Sequence, residues 1–283
     1  MTASQHMLEA NGLRFRVLAE GPPSGELVVM LHGFPEGAES WSRQIDALAR
    51  SGVLAVAPDM RGYGMTDAPS GVEEYAMPRL VEDVAGIIRA FGRNEAHIAG
   101  HDWGAIVAWF LAIAHPQMTK SLTVLSVGHP GAMARAIDED EDQKTRSRYI
   151  DLFLMDGKAE HVLAEEQYRR LRAMLSGGIP RPIIEQFVRS LARPGRLTAG
   201  LNYYRANLSA DRVWTSLRSE ATVNGPVTML WGDQDPALGR FQAEETARYV
   251  NGDFRLEILE GAGHWLQFER PDEVSQSLIS ASK

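Results

Sequence analysis

Ala96-His97-Ile98-Ala99-Gly100-His101-Asp102-Trp103-Gly104, running straight into Ala105–Ala114, decides how this chain is read. A short apolar run, a turn bounded by glycines and an apolar helical run follow without a spacer, which makes a strand–turn–helix unit. Glycines on either side permit a tight turn that lifts the central side chain above a sheet. The helix behind the turn aims its positive end at Asp102, which favours a carboxylate there. An isolated Gly-x-Asp-x-Gly string fits an N-cap aspartate as well. The setting between strand and helix makes a reactive carboxylate the sharper reading.

Outward from this unit the first half alternates apolar runs with amphipathic stretches. Leu27–Leu31, Val53–Ala57 and Leu122–Leu125 have the continuous apolar character of strands buried on both faces. Trp41–Arg50 and Leu80–Phe91 have helical spacing. Alternating strands and helices imply βαβ units, hence an α/β fold with a mostly parallel sheet flanked by helices. The pattern breaks at the turn cluster Gly128-His129-Pro130-Gly131. From Arg146 to Trp214 the chain is charged and helical, and strand-like runs return at Val227–Trp231 and Phe254–Leu259, with a helical tail at Val274–Ile279. The expected organisation is a core of residues 1–130, a helical cap of 131–214 and a second core part of 215–283. The five acids Asp138–Asp142 read as a solvated surface segment, because no turn-forming ligand spacing accompanies them.

Three further loops follow predicted strands. Trp231-Gly232-Asp233-Gln234-Asp235-Pro236 offers Asp235 as the acid that orients a histidine, with Asp233 as rival and turn former. Gly261-Ala262-Gly263-His264-Trp265 offers His264 as a base in a glycine-flanked loop. The chain order nucleophile, acid, histidine is that of the α/β-hydrolase fold. His32-Gly33-Phe34-Pro35-Glu36 follows the first of these strands, and such a loop supplies one backbone N–H of an oxyanion hole while the residue after the nucleophile supplies the other. Those residues are Phe34 and Trp103, and the Phe34–Pro35 bond is a candidate for cis.

Composition narrows the function classes. The 283 residues carry 29 Lys plus Arg against 37 Asp plus Glu, a formal charge of −8, which disfavours a general nucleic-acid binder. Hydrophobic residues make up 44%, enough for a sizeable core. With no cysteine there is no disulfide, thiolate metal site or cysteine nucleophile. The first residues do not read as a signal peptide, and no stretch approaches the roughly 18 apolar residues of a membrane span, so a soluble, cytoplasmic protein is expected.

His32-Gly-Phe-Pro-Glu36, Arg61-Gly-Tyr-Gly64, Gly100-His-Asp-Trp-Gly-Ala105 and Gly263-His264-Trp265 together resemble the soluble-type epoxide hydrolases of the α/β-hydrolase fold, and the resemblance spans nearly the whole chain. It implies a helical cap between core strands, bearing two tyrosines that bind the epoxide oxygen. By similarity these are Tyr149, in Tyr149-Ile-Asp-Leu-Phe, and Tyr204, in Asn202-Tyr203-Tyr204-Arg205, with Tyr203 as runner-up for the second. The first match departs from the family, which often has Gln where this chain has Ile150. The resemblance further implies that Asp102 forms an alkyl ester, that His264 and Asp235 activate water to release a vicinal diol, and that no metal or organic cofactor is needed. The substrate would be a small hydrophobic epoxide, and the family is compatible with a homodimer. The alternative is a haloalkane dehalogenase with the same Asp–His–Asp set, although Phe34 stands where such enzymes often carry a halide-binding Asn. A third reading is a hydrolase-fold protein that binds a ligand without turning it over.

Overall fold

The structure, a computed structural model, describes residues 3–208 and 217–283. Eight strands form one sheet: β1 (Ser4–Ala10), β2 (Leu13–Glu20), β3 (Leu27–Leu31), β4 (Leu54–Pro58), β5 (Ala96–His101), β6 (Thr119–Leu125), β7 (Val227–Gly232) and β8 (Phe254–Leu259). Their order is β1-β2-β4-β3-β5-β6-β7-β8. From β4 to β8 every neighbouring pair is parallel, while β1 and β2 add an antiparallel hairpin at one edge. The hairpin turns at Asn11-Gly12, both with positive φ (47° and 76°), the conformation that an Asn-Gly pair adopts most readily.

Side chains of a strand alternate between faces, and the core divides accordingly. Leu27, Val29 and Leu31 pack into one cluster with Leu80, Val84 and Ile88 of α2 (Met77–Ala90) and Ile106 and Val107 of α3 (Trp103–Ala114). Val28 and Met30 face the other way, against Ile45 and Leu48 of α1 (Ser42–Arg50) and, from the C-terminal helix Pro271–Ala281, Val274 and Leu278. Central strands buried on both sides need apolar residues at every position, which is why they are continuous apolar runs in the sequence.

Between β6 and β7 the described residues hold helices and no strand: α4 (Pro130–Glu139), α5 (Glu141–Arg146), α6 (Tyr149–Phe153), α7 (Lys158–Leu175), α8 (Arg181–Leu191) and α9 (Arg196–Asn207). Helix begins at Pro130, earlier than the expected Arg146, because Pro130 sits in the first turn where its missing N–H costs nothing. α7 is interrupted at Glu165–Tyr168, where three consecutive residues have positive φ. The expected end of the insertion, 209–214, lies outside the described residues. The acid run joins α4 to α5, with Asp138, Glu139, Glu141 and Asp142 paired to Arg218, Arg135, Lys144 and Arg146. Among the described residues no helix is long and apolar enough to cross a membrane.

Parallel strands put all their carboxyl ends on one edge of the sheet, the usual place for a site in such folds. The loops carrying Phe34, Asp102, Asp235 and His264 leave that edge after β3, β5, β7 and β8, and the helical insertion leaves it after β6. The turn after β5 demands a close approach of backbones: a Cβ on Gly104 would overlap the carbonyl oxygens of Leu31 and His32. Gly104→Ala should therefore force the turn apart and abolish both activity and the cooperative thermal transition. Gly177→Ala, where a Cβ meets nothing within 4 Å, should leave the melting temperature unchanged. Equal melting temperatures for the two variants would contradict this account of the turn.

Candidate active site

Asp102 occupies the apex between β5 and α3 with φ 52° and ψ −122°. A non-glycine residue in this region costs about 1–3 kcal/mol and persists only where its surroundings hold it. Two features hold it here. The backbone N–H of Phe34 donates to Asp102 Oδ1 at 2.8 Å, and the N–H of Trp103 also hydrogen-bonds the carboxylate. Gly33 allows this approach, since a Cβ there would collide with the Asp102 side chain. The Phe34–Pro35 peptide is cis, as the sequence suggested. The two amides expected to form an oxyanion hole are thus both on the nucleophile candidate, and Oδ2 is left facing the histidine, 3.9 Å from His264 Nε2.

His264 Nδ1 lies 2.8 Å from Asp235 Oδ2, and Asp235 Oδ1 accepts from the N–H groups of Ala237 and Leu238 at 2.8 and 2.9 Å. All three side chains are buried. Asp233 is exposed and accepts from the Gly261 N–H at 2.8 Å, so it is the turn former and Asp235 the partner of His264. Burial alone would lower the His264 imidazole. Asp235 and Asp102 more than offset this and hold it up to about 9. Burial pushes the Asp102 carboxyl upward, opposed by His264, His101 and the two amides. Asp235 ends below its usual range, because the imidazole and two N–H donors outweigh its burial.

Above this set lie Tyr149 at the start of α6 and Tyr204 in α9, with ring centroids 6.5 Å apart. The Trp103 ring lies edge-on against Tyr204, with centroids 5.0 Å apart. Tyr204 is wedged edge-on between Phe34, Trp103 and Phe153. Burial, followed by the charge of Asp102, raises both phenols well above their ordinary range, so each keeps its proton. The rival Tyr203 donates to the Arg61 carbonyl at 2.8 Å and packs on Tyr63, Tyr75 and Trp103, a structural position. Asp102, His264, Tyr149 and Tyr204 line a single cavity of about 420 Å³ whose other walls include Phe34, Leu152, Phe153, Leu163, Met174 and Trp265.

A supporting network went unread in the sequence. Both ring nitrogens of His101 face oxygens, Glu36 Oε1 at 2.7 Å and the His264 carbonyl at 2.9 Å. Glu36 also accepts from Ser40 and from Gln267 Nε2, and Ser126 Oγ donates to the His264 carbonyl at 3.0 Å. Despite complete burial, Glu36 is held below its usual range, chiefly by His101. The network ties together the loops after β3, β5 and β8. Its one sequence signal was an acid inside the otherwise apolar loop Gly33–Pro35, which only a buried partner could satisfy.

The α/β-hydrolase-fold family model matches residues 26–271. The chain is 34% identical to epoxide hydrolase 3 of Xenopus tropicalis over 98% of its own length and 78% of that protein. It is 33% identical to epoxide hydrolase A of Mycobacterium tuberculosis, over 98% of this chain and 96% of that one. The crystal structure of epoxide hydrolase A from Mycobacterium thermoresistibile superimposes with a TM-score of 0.85 at 32% identity, covering 99% of this chain and 98% of that one. Fold and site define an α/β hydrolase with an aspartate at the nucleophile turn. The chain belongs to the α/β-hydrolase-fold family, among relatives named epoxide hydrolases.

The raised His264 value makes a prediction with a definite sign. A histidine whose folded value lies above its unfolded value of about 6.5 contributes stability that is fully present below 6.5 and is lost as pH rises toward about 9. The melting temperature should fall across that window, and the fall should be smaller in His264→Gln. Parallel curves for the two proteins would contradict the charged assignment.

Proposed function

We propose that this protein hydrolyses epoxides to vicinal diols through an ester on Asp102. The observation that carries the reading is one cavity holding a carboxylate hydrogen-bonded by two backbone amides, Phe34 on Oδ1, with a histidine–aspartate pair beside Oδ2, and two protonated phenols. A carboxylate attacks carbon without losing a proton, whereas a serine at this turn would need a base and would suit acyl transfer. Asp102 Oδ2 forms the new C–O bond at an epoxide carbon as the ring C–O bond breaks, and the electron pair goes to the ring oxygen. An alkoxide is a poor leaving group, so Tyr149 and Tyr204 hydrogen-bond that oxygen and one of them gives it a proton.

Ester formation changes the histidine. While Asp102 is ionised its charge helps keep His264 protonated, and the imidazolium in turn stabilises the nucleophilic carboxylate. Once Asp102 is a neutral ester that contribution is gone, and the imidazolium gives its proton to the phenolate, leaving a neutral imidazole when a base is required. His264, oriented by Asp235, takes a proton from water as its oxygen adds to the ester carbon. The negative charge collects on Oδ1, already hydrogen-bonded by the Phe34 amide, with the Trp103 amide as the second donor. Collapse expels the diol oxygen, which takes the proton from His264. The carboxylic acid left on Asp102 returns its proton to His264, and the sum is epoxide plus water giving diol.

Two observations separate this from the rivals. A dehalogenase would want the Trp103 indole open to halide, whereas here it packs edge-on against the Tyr204 phenol ring, with ring centroids 5.0 Å apart. A ligand-binding protein without turnover has no need of a His264–Asp235 pair set beside Asp102. The helical insertion that bears the tyrosines then acts as the cap expected over residues 131–214. In water labelled with ¹⁸O, a single turnover of styrene oxide should put the label in the Asp102 carboxylate and leave the diol unlabelled. Label in the diol would mean that water attacks the epoxide directly. Tyr149→Phe and Tyr204→Phe should each slow ring opening by about 10–100-fold, and the double variant by more. Full activity in the double variant, or halide release from bromoalkanes at a comparable rate, would remove the tyrosines from the mechanism.

A further inference from the structure

β8 ends the sheet, and among the described residues no strand or loop pairs with its outer edge. In a parallel ladder alternate residues turn their N–H and C=O toward the neighbouring strand. The carbonyls of Asp253 and Leu259 accept from Val227 and Asp233 on the β7 side, so Asp253, Arg255, Glu257 and Leu259 face β7. Phe254, Leu256 and Ile258 therefore turn their N–H and C=O groups outward. Sheets ordinarily protect such an edge with lysine, proline, a bulge or a covering element. β8 holds neither lysine nor proline, and its pairing with β7 runs from Phe254 to Leu259 without a shift. It carries instead one charge of each sign. Arg255 Nε lies 3.1 Å from Glu257 Oε1 within the strand, and the arginine side chain is largely exposed. On the other face Ile258 is exposed and Phe254 half-buried.

We propose that this edge binds a second copy of the chain, β8 pairing antiparallel with β8 of the copy about a twofold axis beside Leu256, so that one sheet runs through both molecules. The strand is self-complementary in that register. Leu256 faces its own counterpart and Phe254 faces Ile258 of the copy, so every outward N–H meets an outward carbonyl. Arg255 of each chain faces Glu257 of the other, which extends the pair already present within each strand. On the opposite face the exposed Ile258 covers the half-buried Phe254 of the copy. Neighbouring registers lose this match. An axis beside Arg255 opposes two arginines and sets Glu257 against Asp253, and an axis beside Glu257 opposes two glutamates. A twofold contact uses one patch on both partners, so a strand that complements itself in charge and in apolar residues fits a second copy as its occupant. The inference does not depend on the reaction proposed above.

Sedimentation equilibrium over about 1–200 µM tests this, because a short strand pair sits at the small, weak end of protein interfaces. Wild type should rise from the mass of one chain to that of two. Arg255→Glu and Glu257→Arg should each weaken the dimer by about tenfold or more, since like charges then stand opposite. The two substitutions combined should restore it to within about threefold of wild type. Thermal unfolding followed by circular dichroism checks that each variant is folded. The chain has no cysteine, so Leu256→Cys supplies a single thiol, which should form an interchain disulfide under mild oxidation across a Cα separation of about 5.5 Å. Met7→Cys, on the exposed strand at the other edge of the sheet, should not. A wild type that stays a single chain at about 200 µM overturns the proposal and leaves the edge to a strand of another protein. A dimer that ignores the single charge reversals, or that the double reversal does not restore, overturns it by placing the contact elsewhere. Equal cross-linking of Leu256→Cys and Met7→Cys does the same.

Discussion

The hydrogen bond from the Phe34 amide to Asp102 Oδ1, at 2.8 Å, is the contact on which the site depends. It joins the loop after β3 to the turn after β5, and it is available only because Gly33 leaves room for the Asp102 side chain against the loop. It helps hold Asp102 in a backbone conformation that other residues avoid. It also sorts the two carboxylate oxygens. One is held by the Phe34 amide and, in the proposed reaction, becomes the site of developing negative charge; the other faces His264 and is the one proposed to attack. A symmetric, solvated carboxylate would have neither role assigned.

The rest of the site reinforces that arrangement from below and above. Beneath it, Glu36 and His101 fasten the loops of β3, β5 and β8 to one another, so Asp102, the amides and His264 cannot drift independently. Above it, Tyr204 is fixed by Phe34, Phe153 and Trp103, the last of which ties a residue of the insertion to the residue after Asp102. Electrostatically the set is poised between two states. The imidazolium supports an ionised Asp102, and neutralising Asp102 weakens the imidazolium. Each half of the proposed reaction prepares the protonation state of the other.

Much of this was legible in the residues, for physical reasons. Strands buried on both faces must be apolar throughout, so β3 appears with its observed bounds and β4 to β7 nearly so, while the half-exposed edge strand β8 shows itself by apolar residues alternating with Arg255 and Glu257. The turn carrying Asp102 announces itself because only glycine tolerates the backbone contacts at Gly104. Asp235 and His264 followed from their places after strands. The edge hairpin β1–β2 was missed although Asn11-Gly12 marks its turn, because β1 is largely exposed and has no apolar alternation to display. The Glu36–His101 contact joins residues 65 apart, and no local pattern encodes it.

The central claim is that Asp102 carries the substrate covalently while His264 serves only the second half of the reaction. The intact mass of His264→Gln, recorded after mixing with a panel of epoxides, tests it most directly. The account predicts a mass gain equal to one whole epoxide, mapped to the peptide containing Asp102 and persisting because no base remains to activate water. Continued diol formation with no adduct, or an adduct on any other residue, would contradict it.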